Sequence, residues 1–170
     1  MRFKRDNNTL LLTLNSLEGR LLLRVLRQLA DNYRLAPGEL DAETAAAWYS
    51  IRGCATARMS EEETREWMAH LREFKGGRLE KIESWAGQVE QAKSGYSHVR
   101  ILANDASDFL TAINDHRLFV AAQHGIGQEA MDAHSALQLS KLPSDSQEAL
   151  FEIHFLAWII EDLLGAIEER

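Results

Sequence analysis

Residues 144–170 read S-D-S-Q-E-A-L-F-E-I-H-F-L-A-W-I-I-E-D-L-L-G-A-I-E-E-R. Ser144 followed three residues on by Gln147 is a capping box, in which side chains satisfy the free N–H groups of a first helical turn. A helix is therefore predicted to start at Asp145. Leu150, Ile153, Ala157, Ile160, Leu164 and Ile167 recur at steps of three and four and define one apolar face. Phe151, Phe155, Trp158 and Ile159 fall outside it. A helix apolar on more than one side is buried on more than one side. Other helices, or a second copy of the chain, are expected to surround this one. Those four residues are thus either core or an association surface, and two-fold dimers commonly bury such surplus faces.

The chain has 170 residues, 45% of them hydrophobic and 26% charged, which suits one soluble domain with its own core. Two prolines and few strand-like runs favour helices. A formal charge of -7 argues against a nucleic-acid binder, which normally carries a basic face. The single cysteine, Cys54, cannot form an internal disulfide, so a reducing cytoplasm fits. Arg2, Lys4 and Arg5 resemble the start of a signal peptide, but the apolar run at 10–12 is broken at once by Thr13 and Asn15. Secretion is not expected. The uncharged apolar run at 155–160 is far short of the roughly 20 residues that span a membrane, so no membrane role is expected.

Upstream, residues 9–14 form a candidate strand or helix approach. Ser16 is the expected N-cap of a helix over 17–33, with Leu22, Val25, Leu29 and Tyr33 on its apolar face. Glu18 is either a first-turn acid favoured by the helix dipole or the partner of a buried cation. Pro37-Gly38 marks a turn, and Asp41 caps a helix predicted over 42–58. Ser60 with Glu63 is a second capping box, opening a helix through Trp67, Leu71 and Phe74 towards Gly76-Gly77. Helical periodicity resumes over 78–93. Residues 98–102 are a second strand candidate, able to pair with 9–14 as a ribbon lying against helices. Asn104 or Asp105 caps the next helix, which stops at Gly125; residues 127–142 are weakly helical. The expected architecture is a mainly α, single-domain helical bundle around a buried C-terminal helix, with a short two-stranded β pair.

The helix over 108–124 reads D-F-L-T-A-I-N-D-H-R-L-F-V-A-A-Q-H. It carries a polar run, Asn114, Asp115, His116 and Arg117, among apolar residues. A buried guanidinium needs a paired carboxylate, because an isolated charge in a core costs several kcal/mol. The candidate partners are Asp115, Glu18, Glu152, Glu161 and Asp162. On that reading Arg117→Ala unfolds or strongly destabilises the protein.

The stretch F-L-T-A-I-N-D-H-R-L, with the later A-L-F-E-I-H-F-L-A-W-I-I-E-D-L-L, resembles a bacterial family known only as domain of unknown function twenty-seventeen. Its members show an aromatic-Leu-x-x-Leu-Asn-Asp-x-Arg-Leu helix and a closing aromatic-rich helix. Here Phe109 stands where tryptophan is usual, His116 where leucine is usual, and A-A-Q-H where Gly-Thr-Arg-Leu is usual. The resemblance implies a mostly helical cytoplasmic protein with no assigned activity. Members are often encoded near the Clp protease adaptor, which implies a link to protein turnover.

The histidines offer no metal site. His116 and His124 lie eight residues apart, about 12 Å along a helix, and cannot share one ion. Glu-x-x-His pairs, as in carboxylate-bridged bundles, are absent from the sequence. No cofactor is expected. His154 and Glu161 flank the seam of the last helix and could meet His116 or Arg117, as a structural network or a ligand site. Cys54 reads as a small buried residue, and Gly125-Ile126-Gly127 is too short for a phosphate loop.

Two functions follow. The first is a non-enzymatic interaction or regulatory protein with a protein partner or a homodimeric mate, linked to regulated proteolysis. The second is an enzyme or small-ligand binder using Asn114, Asp115, His116, Arg117, Glu18, His154 and Glu161. Accessibility of Arg117 separates them: sealed and paired, it serves structure; lining a cleft, it favours the second.

Overall fold

The computed structural model describes residues 1–49, 51–91, 95–127 and 143–168. The architecture is mainly α with a small antiparallel sheet. The ribbon expected between 9–14 and 98–102 is present as β2 (Thr9–Asn15) and β3 (Tyr96–Leu102), with Leu12 opposite Val99. A third strand, β1 (Arg2–Asp6), joins the other side of β2, giving the order β1-β2-β3. The residues that resembled a signal peptide are thus an edge strand, a position where lysine and arginine are common because charge discourages further pairing. Asn7 makes the tight connection at φ 52°, a left-handed conformation that asparagine tolerates. Phe3, Leu10, Leu12, Leu14, Val99 and Ile101 alternate onto one face, and all are buried.

Against that face lies α1 (Ser16–Arg34), which contributes Leu22, Val25, Leu26 and Leu29 to the core. Its N-cap is Asn15, one residue before the expected Ser16. Asn15 accepts from the N–H groups of Leu17 and Glu18, while Glu18 reaches back to the Asn15 N–H at 2.8 Å. Gly19 lets α1 approach β3 closely: a Cβ there would meet Ser97 Oγ at 2.7 Å. The helix predicted over 42–58 divides into α2 (Ala42–Trp48) and α3 (Ile51–Thr56). Tyr49 leaves the helical conformation, and its carbonyl accepts the Trp67 indole N–H at 3.2 Å. Then come α4 (Glu61–Gly76), opened by the expected Ser60–Glu63 box, and α5 (Leu79–Glu90).

Helix α6 (Ala106–Gln123) packs on the C-terminal helix, α7 (Ser144–Glu168). Asp105 holds the cap position of α6 without bonding its backbone, because its carboxylate takes Lys81 Nζ at 2.6 Å. Ser144 lies inside the first turn of α7, and the Gln147 N–H donates to the Pro143 carbonyl. The weakly helical stretch read at 127–142 falls, but for Gly127, outside the described residues.

The core-facing line of α7 differs from the one periodicity selected. Leu150 and Ile153 of the expected face are buried, but the line then passes to Leu156, Ile159 and Leu163, while Leu164 and Ile167 are exposed. Phe155 and Ile159 belong to the core, while Phe151 and Trp158 stand outside it at 53% and 57% exposure. The helix is therefore a flank of the body with a bare outer face, not a rod enclosed on all sides. Helix α1 contacts the sheet, α4, α5 and α6, and α6 contacts α1, α2, α7 and β3.

Candidate functional site

Successive residues on a helix turn by about 100°, so the polar run on α6 cannot share one environment. His116 points inward and is wholly buried. Its Nε2 lies 2.7 Å from Glu152 Oε1 on α7. The other Glu152 oxygen accepts from Arg24 on α1, whose side chain is more than half exposed. Burial works to raise the Glu152 carboxyl, but the His116 hydrogen bond, with the charges of His116 and Arg24, holds it below its ordinary range. Above this triad a cavity of about 330 Å3 opens between the three helices, its wall including Arg24, Gln28, Gln123, His124, Glu148 and Glu152.

Asp115 faces away from the triad and takes Lys75 Nζ of α4 at 2.8 Å and the Tyr33 hydroxyl of α1 at 3.2 Å. The Lys75 ammonium also sits 4.4 Å from the centre of the Trp48 ring, a cation–π contact in a nearly dry place. Burial lowers the Lys75 pKa, and Asp115 opposes that effect. For Tyr33, burial first and Asp115 second push the phenol far above its usual range. Next along, Arg78 pairs with Asp108 at 3.1 Å, and Lys81 bridges Asp105 and Asp108 at 2.6 Å each. The Lys81 hydrogen bond, then that of Arg78, lowers the Asp108 pKa.

Arg117 is not the acid-paired core cation expected, although its Nε is buried. Arg117 is half-buried, its Nε has no hydrogen-bond partner, and among the described residues it forms no ion pair. Each of its candidate acids is engaged elsewhere or faces water. Asp115 holds Lys75, and Glu152 holds His116 and Arg24. Glu18 caps α1 and meets the Met1 amino group at 3.1 Å. Asp162 accepts the Phe3 N–H at 2.7 Å, and Glu161 is exposed. Asn114 and His154 are half-buried. The internal polar network thus exists, but its buried cations are Lys75 and Arg78, with His116 hydrogen-bonded to Glu152, and it binds α6 to α4, α5 and α7 as separate clusters. Among the described residues, Asn114, Asp115, His116, Arg117, Glu18, His154 and Glu161 line none of the four cavities found.

Lys75, which sequence reasoning missed, left a trace, as did Glu152, expected as a partner of Arg117 and found with His116 and Arg24. Glu152 is an acid enclosed by Leu150, Phe151 and Ile153, and Lys75 continues the line of Met68 and Leu71. A charge on an apolar line marks a partner on a neighbouring element. Cys54 is buried, as read. Among the described residues no group of three or more histidine, cysteine or acidic side chains is placed to hold a metal ion.

A family model described as Domain of unknown function (DUF2017) matches residues 1–167. The chain belongs to that family. No curated protein and no solved structure matches it. The DUF2017 assignment agrees with the resemblance carried by the N-D-H-R-L helix and the aromatic closing helix. Among the described residues no helix is long and apolar enough to cross a membrane.

Proposed function

We propose that this DUF2017 protein is a non-catalytic binding protein of the bacterial cytoplasm, which uses the outer face of α7 to engage a protein partner. The observation that carries the reading is the exposure of Phe151 and Trp158, seven residues apart and so on one side of the helix, at 53% and 57%. Aromatic side chains supply large contact area with little conformational freedom to lose, and they anchor many interfaces. Exposed Glu161 stands one turn from Trp158, and exposed Glu148 one turn before Phe151. An apolar segment with basic neighbours complements that face. Asp108, Asp115 and His116 of α6, which could perform chemistry, are tied into pairs holding helices together, which further favours a scaffold over a catalyst. Regulated proteolysis is the process we assign, on the family resemblance described above.

The test is affinity capture and crosslinking with the intact chain, the Phe151→Glu/Trp158→Glu variant and Arg117→Ala. Partners should be lost with the first variant and kept with the second, while both melt like wild type. Identical capture by all three overturns the reading. Sedimentation of wild type identifies the case in which the partner is a second copy.

A second reading, small-ligand binding, finds its cavity over Glu152 and Arg24 and not at Asn114 to Arg117. None of those four residues lines it.

A further inference from the structure

A different cavity, between α4 and Tyr33, lies beside the ion pairs without being filled by them. It measures about 500 Å3, within the roughly 300–1,000 Å3 of small-ligand sites. Its wall is apolar where Tyr33, Met68 and Ala69 meet, and Gly76 leaves one end open, since a Cβ there would touch nothing within 4 Å. Arg65 and Arg72 also line it, and Glu73 adds one carboxylate. The two arginines stand seven residues apart on one side of α4, with exposed, flexible stems. Nearby Lys75, Arg78 and Lys81 each hold a carboxylate of the protein. Arg65 makes one long bond, to the Glu61 carbonyl at 3.4 Å, and among the described residues neither Arg65 nor Arg72 forms an ion pair. A guanidinium offers a planar fork of donors that matches a carboxylate. Tyr33, kept protonated by burial and by Asp115, gives the wall a neutral aromatic surface.

We propose that this cavity binds a small monocarboxylate with an aromatic or aliphatic body, its anion between Arg65 and Arg72 and its body against Tyr33 and Met68. Glu73, the one acid among the lining residues, disfavours a second carboxylate on the ligand by like-charge repulsion. The site is independent of the α7 face, so either can fail without the other.

Titration calorimetry with naphthoate, neutral naphthalenemethanol and naphthalenedicarboxylate tests it. Naphthoate should bind about tenfold more tightly than the alcohol, the worth of one partly exposed charge-assisted contact. The Arg65→Gln/Arg72→Gln variant should erase that preference, and Glu73→Gln should admit the dicarboxylate. All three positions are exposed, so the variants should melt like wild type. The Phe151→Glu/Trp158→Glu variant should bind naphthoate unchanged. Failure of wild type to bind naphthoate at millimolar concentration overturns the proposal. So does a preference that survives loss of both arginines, or binding that disappears with Phe151 and Trp158.

Discussion

The His116 ring nitrogen Nε2 and the Glu152 oxygen Oε1 are 2.7 Å apart at a point solvent barely reaches. Nδ1 of the same ring has no hydrogen-bond partner. With a proton on Nε2 the imidazole donates to the carboxylate. The pair clamps α6 to α7, and each residue exists at the expense of an apolar side chain that would fill the same space.

Removing one member should therefore cost more than replacing both. His116→Ala leaves Glu152 buried with only its half-exposed Arg24, and we expect a loss of about 3–5 kcal/mol. The His116→Leu/Glu152→Met double variant should return to within about 1 kcal/mol of wild type or exceed it. Urea denaturation curves measure both. A double variant as unstable as the single would show that the pair contributes net stability.

Acid sensitivity follows from the same carboxyl. Glu152 is held below its ordinary value of 4.5 in the folded chain, so the folded state binds the proton less readily than the unfolded one. Its contribution is fully present above about pH 4.5 and is lost as pH falls through the folded value. The urea midpoint of wild type should drop more steeply than that of Glu152→Gln as pH is lowered below about 4.5. Parallel pH curves would remove Glu152 from the acid transition.

Arg117 and Lys75 should exchange the importance that the sequence suggests. Arg117→Ala removes no ion pair among the described residues and should change stability by no more than about 1 kcal/mol. Lys75→Ala strips Asp115 of its cation and Trp48 of its cation–π partner, and should cost about 2–4 kcal/mol. Thermal melts of the two variants, side by side, decide it; the opposite order would contradict the assignment.

Side chains close both margins of the sheet. On β3, Gln88 of α5 accepts the Arg100 N–H at 2.7 Å and donates to its carbonyl, as a neighbouring strand would. On β1, Asp162 of α7 accepts the Phe3 N–H. Asp162→Ala should cost about 1–3 kcal/mol for the stranded N–H. Combined with Gln88→Ala it should make association concentration-dependent, read by light scattering, because open strand edges recruit other chains. A double variant that stays monodisperse would show that the edges need no cover.

Local pattern made most helices legible, because spacing and caps such as Ser60 with Glu63 act within a few residues. The Asn15–Glu18 box was equally readable, but the adjacent Ser16 is as good a cap and hid it. For β1, R-F-K-R-D holds one apolar residue, and its strand state comes from β2 and Asp162, far away in sequence. The polar run on α6 stands out in the sequence, yet which of four successive residues faces inward depends on where α1, α4 and α7 lie. Apolar spacing on α7 was ambiguous for the same reason: a helix greasy all round reveals neither its inner nor its outer side.

The bond between Phe3 and Asp162 joins residues 159 positions apart. Synthesis at roughly 5–20 residues per second separates their appearance by about 8–30 seconds. For that interval the outer border of β1 is unsealed, and the charges of Arg2, Lys4 and Arg5 disfavour its pairing with other chains until the closing helix arrives.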